Sequence, residues 1–287
     1  MTSISRSVKS VADAAYEDGT VDVLDTHTLD EDLPWGVVDA RAGRAAIAAI
    51  ETATRAALHG EVAAVVTAPI HKEAIWAAGS EHLGHTEMLG ALTGSDQYGT
   101  MFVVRDLKIF FTTRHMSLRK ALDAVTRDSV REAIEKSWTA LNVYGHSAPR
   151  LAVAALNPHG GEGGNFGTEE IEHISPACED ARAAGMPVFG PIPADSVFHQ
   201  GLEGRFDGVL SHFHDQGHIA AKTYDFANTV SVTVGIPIVR TSVDHGTAFD
   251  IAGTGKASAD TMIAAYRAGA KFAPFAERAA AEWRSRA

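Results

Sequence analysis

Val62-Ala63-Ala64-Val65-Val66-Thr67 is a short apolar run rich in β-branched side chains, and Pro69 closes it. A stretch of this kind predicts a strand covered on both faces, the form typical of parallel sheets. Upstream, from Asp39, the spacing of Ile47, Ile50, Thr54 and Leu58 with Gly60 just beyond predicts an amphipathic helix closed by a glycine. The alternation then repeats. Met101–Val104 and Lys108–Thr112 read as strands, and Thr126 caps a helix with Val130, Ile134 and Leu141 on one face. Leu151–Leu156 is a further buried strand, and Thr168 with Glu169 and Glu170 opens a helix that stops at Gly185. Short strands follow at Val188–Pro191, Gly208–Ser211 and Thr229–Val234, with helices beginning near Ser258 and near Pro274. Strands alternating with helices of this length predict an α/β fold with mainly parallel strands. Residues 1–35 show neither periodicity and read as an irregular lead-in.

The 287 residues exceed one ordinary core, which favours two lobes sharing the chain. No repeat or flexible linker divides them, so the chain is expected to cross between lobes. With 36 acidic against 25 basic residues the net charge is -11, which argues against nucleic acid or a membrane surface as partner. A small anionic substrate needs only a local positive site. Cys178 is the single cysteine, so neither a disulfide framework nor a cysteine zinc site is expected, and a reducing compartment, the cytoplasm, fits. No signal peptide and no apolar run long enough to span a membrane is read in the sequence.

Four polar loops follow buried strands, where α/β enzymes place their chemistry: Leu83–Glu87, Thr113-Arg114-His115-Met116, Asn157–Gly164 and His212–Gly217. Three bring a histidine to a strand end, and neutral imidazoles suit a divalent transition metal. Spacing leaves the last loop open. His212 with His214 share a strand face, whereas His214 with His218 share a helix face. Any single histidine among 14 is more often a surface or capping residue. The glycines from Gly160 to Gly167 permit close backbone approach before a helix N-terminus, or form only a flexible turn. They do not match G-x-G-x-x-G, so a nicotinamide cofactor would be held some other way. Lys222 lies eight residues beyond His214, and Arg240 is read as following an apolar strand at Gly235–Val239. Each is a solvated charge unless it faces the crevice. The loop Arg240–Lys256 is dense in small residues, with two acids and a histidine, and an acid there could hold a ribose hydroxyl.

The strings Gly84-His-Thr-Glu87, Leu156-Asn-Pro-His-Gly-Gly-Glu-Gly-Gly164, Phe213-His-Asp-Gln-Gly217 and Arg240-Thr-Ser-Val-Asp-His-Gly-Thr-Ala248 together resemble the 4-hydroxythreonine-4-phosphate dehydrogenase family from about residue 17 onward. The resemblance implies an isocitrate/isopropylmalate dehydrogenase-like fold of two α/β/α lobes, with residues 1–80 plus 228–287 as nucleotide-binding lobe and 81–227 as metal, substrate and dimerisation lobe. It also implies a homodimer with each active site at the interface, an NAD or NADP cofactor, and a divalent ion such as Zn, Mg, Co or Mn. By the same resemblance the metal ligands fall on His115, His159 and His214, the substrate contacts on His85, Thr86, Lys222, Ser231 and Arg240, and the cofactor contacts on Gly246, Thr247 and Asp250. Lys222 is the candidate catalytic residue. Ser231 replaces a usual asparagine, which bears on substrate identity. The expected reaction is oxidation and decarboxylation of a small phosphorylated hydroxy acid, 4-hydroxythreonine 4-phosphate or D-threonate/D-erythronate 4-phosphate. Rival expectations are a metal-dependent aldolase without nicotinamide, a dihydrodiol dicarboxylate dehydrogenase and an inactive ligand-binding remnant. The last arises because the family's opening strand and glycine-rich turn are not found before residue 17, so its first strand and helix are expected to be missing.

Overall fold

A computed structural model describes residues 4–29 and 32–286. The expected lead-in is corrected by it. Ile4–Val8 (β1) and Thr20–Leu24 (β2) pair in parallel as a separate two-stranded sheet, with Ile4 against Thr20 and Val8 against Leu24. Positions 1–3, 30 and 31 of that lead-in, and 287, lie outside the described residues.

The first long helix, Ala40–Leu58 (α1), begins where Asp39 accepts a hydrogen bond from the Arg41 backbone N–H at 2.7 Å, the capping geometry expected of that residue type. It packs against Lys72–Ala77 (α2) so closely that a Cβ on Gly43 would stand 2.0 Å from the Ala74 carbonyl oxygen. Only glycine allows that approach. After Val65–Thr67 (β3) come His85–Thr93 (α3), Gly99–Val104 (β4) and Leu107–Phe111 (β5), then Leu118–Asp123 (α4) and Arg127–Val143 (α5). The Thr126 side chain accepts from the Ser129 N–H in a reciprocal cap, and Val130, Ile134 and Leu141 are fully buried, as their spacing requires. The chain continues through Leu151–Ala154 (β6), Ser175–Ala183 (α6), Val188–Ile192 (β7), Ala194–Leu202 (α7), Gly208–Ser211 (β8) and His214–Asp225 (α8). Thr229–Val234 (β9), Arg240–Val243 (β10), Asp260–Phe272 (α9) and Ala276–Arg286 (α10) complete it.

One eight-stranded sheet runs β3-β10-β9-β4-β5-β8-β6-β7. Four of its pairings are parallel: β3–β10, β5–β8, β8–β6 and β6–β7. The tight Arg105-Asp106 connection makes β4 and β5 antiparallel, and β9 is antiparallel to both of its neighbours. One face carries Met101, Val103, Phe110, Val230 and Val232 into a large core with α5, α6 and α9. On the other, Phe102, Val104, Leu107 and Ile109 meet Val197 and Phe198 of α7 and Ala221 of α8. Towards β3 this second face turns polar, and the site begins there. No helix among the described residues is long and apolar enough to cross a membrane.

Candidate active site

In β9 the sequence Thr-Val-Ser-Val-Thr-Val alternates, yet all six residues are buried. Its polar set has no water to face. Cross-strand register places Ser231 beside Ser242 and Thr233 beside Arg240, while Thr67 of β3 lies beside Ser242. Arg240 therefore does not follow a strand, as the sequence suggested, but begins one, and it is only 5% exposed. Its guanidinium donates to Thr67 Oγ1 at 2.6 Å and to Thr233 Oγ1 at 3.1 Å. The Nε has no partner among the described residues, and no carboxylate forms an ion pair with the group. Burial pulls its pKa down to about 10 without discharging it. A buried guanidinium without an ion-pair partner is costly on its own and well suited to an anion.

His85 opens α3 rather than lying in a loop, with Thr86 next to it, half-buried. Burial, then the positive charge of Arg240, brings the His85 pKa down to about 3, so the imidazole is neutral. Because the folded value lies below the unfolded one near 6.5, this group stabilises the fold above that pH and the contribution is lost as pH falls towards 3. Denaturant unfolding at about pH 7 and about pH 5 checks it: the parent protein should lose more stability across that interval than His85→Gln.

Lys222, near the end of α8, forms an ion pair with Asp244 Oδ2 at 2.6 Å and lies 5.5 Å from the Phe226 ring centre. Ser231 donates to the Ser242 carbonyl at 3.4 Å, within the same polar face.

The order β5-β8-β6 sets three strand ends side by side. His115, beyond β5, and His214, at the start of α8, have ring centres 6.2 Å apart, wider than the roughly 5 Å at which two imidazoles share a tetrahedral ion, so the rings are neighbours that would have to close in to hold one together. His214 Nδ1 meets Asp215 Oδ1 at 2.6 Å, an orienting contact that frees Nε2 for a ligand. Burial, then Arg114, holds the His115 pKa below its ordinary value, keeping that ring neutral and able to ligate. Of the two registers left open by spacing, the helical one is built: His214 and His218 stack at 3.7 Å, and His218 packs on Phe102 and Phe111. His212 is instead fully buried, its Nε2 2.7 Å from the Ala154 carbonyl oxygen. A cavity of about 250 Å³ is lined by Arg114, His115, Met116, His214 and Asp215.

His159 follows β6 in a loop where six successive residues, His159 to Gly164, hold positive φ. The loop is clamped by Glu170, 3% exposed, whose Oε1 accepts from the backbone N–H groups of Leu156 and Asn157, both at 2.7 Å. No group of three His, Cys, Asp or Glu side chains among the described residues is gathered closely enough to hold a metal ion. One chain thus brings together His115 and His214 and does not bring His159 to them. Gly246, Thr247 and Asp250 sit in a loop between β10 and α9, which is anchored where Phe249 stacks on His71 at 4.2 Å.

The family described as "Pyridoxal phosphate biosynthetic protein PdxA" matches residues 2–269. The chain belongs to the PdxA family. A relative from Cutibacterium acnes named "Putative D-threonate 4-phosphate dehydrogenase" is 58% identical over 96% of this chain and 81% of its own length. A relative of the same name from Symbiobacterium thermophilum is 54% identical over 93% of this chain and 80% of its own length. Among solved structures, a 4-hydroxythreonine-4-phosphate dehydrogenase from Klebsiella pneumoniae superposes with a TM-score of 0.89 at 41% identity, covering 95% of this chain and 83% of its own. As a PdxA-family member with these relatives, the chain is a dehydrogenase, an enzyme that oxidises a CH–OH group. The family match starts at residue 2, earlier than the four motifs by which the resemblance was read.

Sequence reasoning passed over Thr67, Thr233 and Ser242, the polar neighbours of Arg240, and Glu170, the loop clamp. The polar half of the alternation in β9, within a strand buried on both faces, was the available signal for the first group. Arg114 was seen only as part of a loop.

Proposed function

We propose that this PdxA-family dehydrogenase oxidises and decarboxylates a small phosphorylated hydroxy acid of the D-threonate or D-erythronate 4-phosphate kind, using NAD or NADP and a divalent ion. The observation that carries the reading is Arg240: a buried cation with no anionic partner among the described residues, close enough to His85 to act on an imidazole that stays neutral. Together they offer a phosphate several hydrogen bonds in a site from which water is largely excluded. Thr86, next to His85, and Ser231, on the same polar sheet face as Arg240, complete the proposed substrate contacts.

His115 and His214 fit a divalent ion by donor chemistry and are near enough to close on one, and His159 from a second copy would supply the third imidazole. That arrangement places the active site at a homodimer interface. The bound ion would act as a Lewis acid towards the substrate hydroxyl and the ketone it becomes. Gly246, Thr247 and Asp250 would hold NAD or NADP, which would supply the hydride acceptor. Lys222, paired with Asp244, would be the proton donor once carbon dioxide has left, and the ion pair supports that role by holding its ammonium in one position. In this reading residues 1–80 with 228–287 carry the nucleotide, residues 81–227 carry metal, substrate and dimer contacts, and the enzyme works in the cytoplasm.

The test is absorbance of reduced nicotinamide during turnover of D-threonate, D-erythronate and hydroxythreonine 4-phosphates with each cofactor. Reduction stoichiometric with product is expected; product without reduction would favour a metal-dependent aldolase. His115→Ala and His214→Ala should each lower bound metal and turnover together, the latter by roughly 100-fold or more. Full metal content in either variant would remove that residue from the ligand set.

A further inference from the structure

We propose that Arg114 is a second substrate anchor, its guanidinium binding the carboxylate end of the molecule whose phosphate end Arg240 holds; this rests on the dehydrogenase reading above. Arg114 is partly buried, and its guanidinium makes no hydrogen bond or ion-pair contact with any described residue. Glu87 and Asp244 act on it only from a distance. A long cation on a surface relaxes into water at little cost, but this one lines the cavity that also holds His115 and His214.

Its backbone is fixed. Thr112 N–H donates to the Ser211 carbonyl at 2.8 Å, Thr113 N–H and Oγ1 both donate to the His212 carbonyl, and Met116 N–H donates back to the Arg114 carbonyl at 2.8 Å. The side chain therefore leaves from a rigid strand end beside one proposed metal ligand and faces the other. The rigid backbone limits where the guanidinium can reach, and with no partner of its own it is open to a bidentate carboxylate contact.

Chemistry decides which end of the substrate it meets. Decarboxylation after oxidation demands a carboxylate β to the oxidised carbon, so the acid lies two bonds from the carbon whose hydroxyl must sit between His115 and His214. The phosphate, at the other end of a four-carbon chain, falls towards Arg240. Arg114 would hold the acid until oxidation is complete, and Glu87 and Asp244 balance its charge in the free enzyme.

The experiment is calorimetric titration of the metal-loaded protein with D-threonate 4-phosphate and with the polyol phosphate in which CH2OH replaces the carboxylate. The parent should prefer the acid by roughly 10- to 100-fold. Arg114→Met should abolish the preference, leaving affinity for the polyol phosphate, affinity for inorganic phosphate and the thermal midpoint unchanged, and Arg114→Lys should restore part of it. If Arg114→Met keeps the preference, or weakens both ligands equally, the anchor is overturned and Arg114 only balances nearby carboxylates. If the parent binds neither phosphorylated compound, the dehydrogenase reading fails and the anchor falls with it.

Discussion

Arg240→Met is expected to abolish useful substrate binding while leaving the fold as stable as before. Removing one partner of a buried, hydrogen-bonded charge pair costs about 3–4 kcal/mol, which corresponds to a fall of roughly 10²–10³-fold in kcat/KM. In the free protein there is no such pair to break. The guanidinium has only the Thr67 and Thr233 hydroxyls, and Thr67 keeps its 2.9 Å hydrogen bond to Ser242 when Arg240 is replaced. Methionine fills a similar volume without a charge to desolvate, so the one abandoned hydroxyl, Thr233, is set against relief of an unpaired cation. Denaturant unfolding and steady-state kinetics on the same preparation separate the two quantities. A variant that unfolds much more readily would mean that Arg240 is a structural residue, and the anion site would have to lie elsewhere.

The contrast between Arg240 and Val130 shows what was legible in the sequence. Val130, Ile134 and Leu141 repeat at a helical period, and a period is local, so their burial follows from spacing alone. Strand β9 could be placed for the same reason. What could not be read was which way its polar half points, because Thr233 and Ser231 acquire their roles from Arg240, Ser242 and Thr67, and Thr67 is more than 160 residues away in the chain. His214 posed a similar difficulty. A step of two and a step of four both bring it a histidine partner, and only the helix that begins at His214 selects His218. The two N-terminal strands were missed for the opposite reason. Val21 and Val23 alternate with polar residues but remain exposed, and nothing in the lead-in carries the continuous apolar run that marked Val62–Thr67. Arg114 shows the weakest signal of all, since an isolated arginine is ordinarily solvated and only a cavity reveals otherwise.

Glu170 was read as one of two negative charges on a helix N-terminus, and its actual contacts support a larger prediction. Six residues, His159 to Gly164, hold positive φ, and two of them, His159 and Glu162, carry side chains. Each such residue costs about 1–2 kcal/mol. The strain persists only if something over-determines the loop, and Glu170 does so: Oε1 takes the Leu156 and Asn157 N–H groups, and Oε2 takes Asn157 Nδ2 at 2.8 Å. Gly167 closes the turn so tightly that a Cβ there would stand 2.6 Å from Asn157 Nδ2. Burial alone would raise the Glu170 pKa, but the Asn157 side chain and the loop N–H groups outweigh it and hold the carboxyl below its ordinary value. Its stabilising effect is therefore present above the unfolded carboxyl pKa and is lost as pH falls through the lower folded value. Glu170→Ala abandons two buried N–H donors and should destabilise the protein by about 3 kcal/mol at neutral pH, with the deficit narrowing in acid. Released from its clamp, the loop would no longer present His159 in one conformation, so metal content should fall although Glu170 is not itself a ligand. Hydrogen exchange at Leu156 and Asn157, read beside metal stoichiometry, tests both halves. Protected amides in the alanine variant would show that the backbone holds the loop unaided, and a metal loss would then need a different cause.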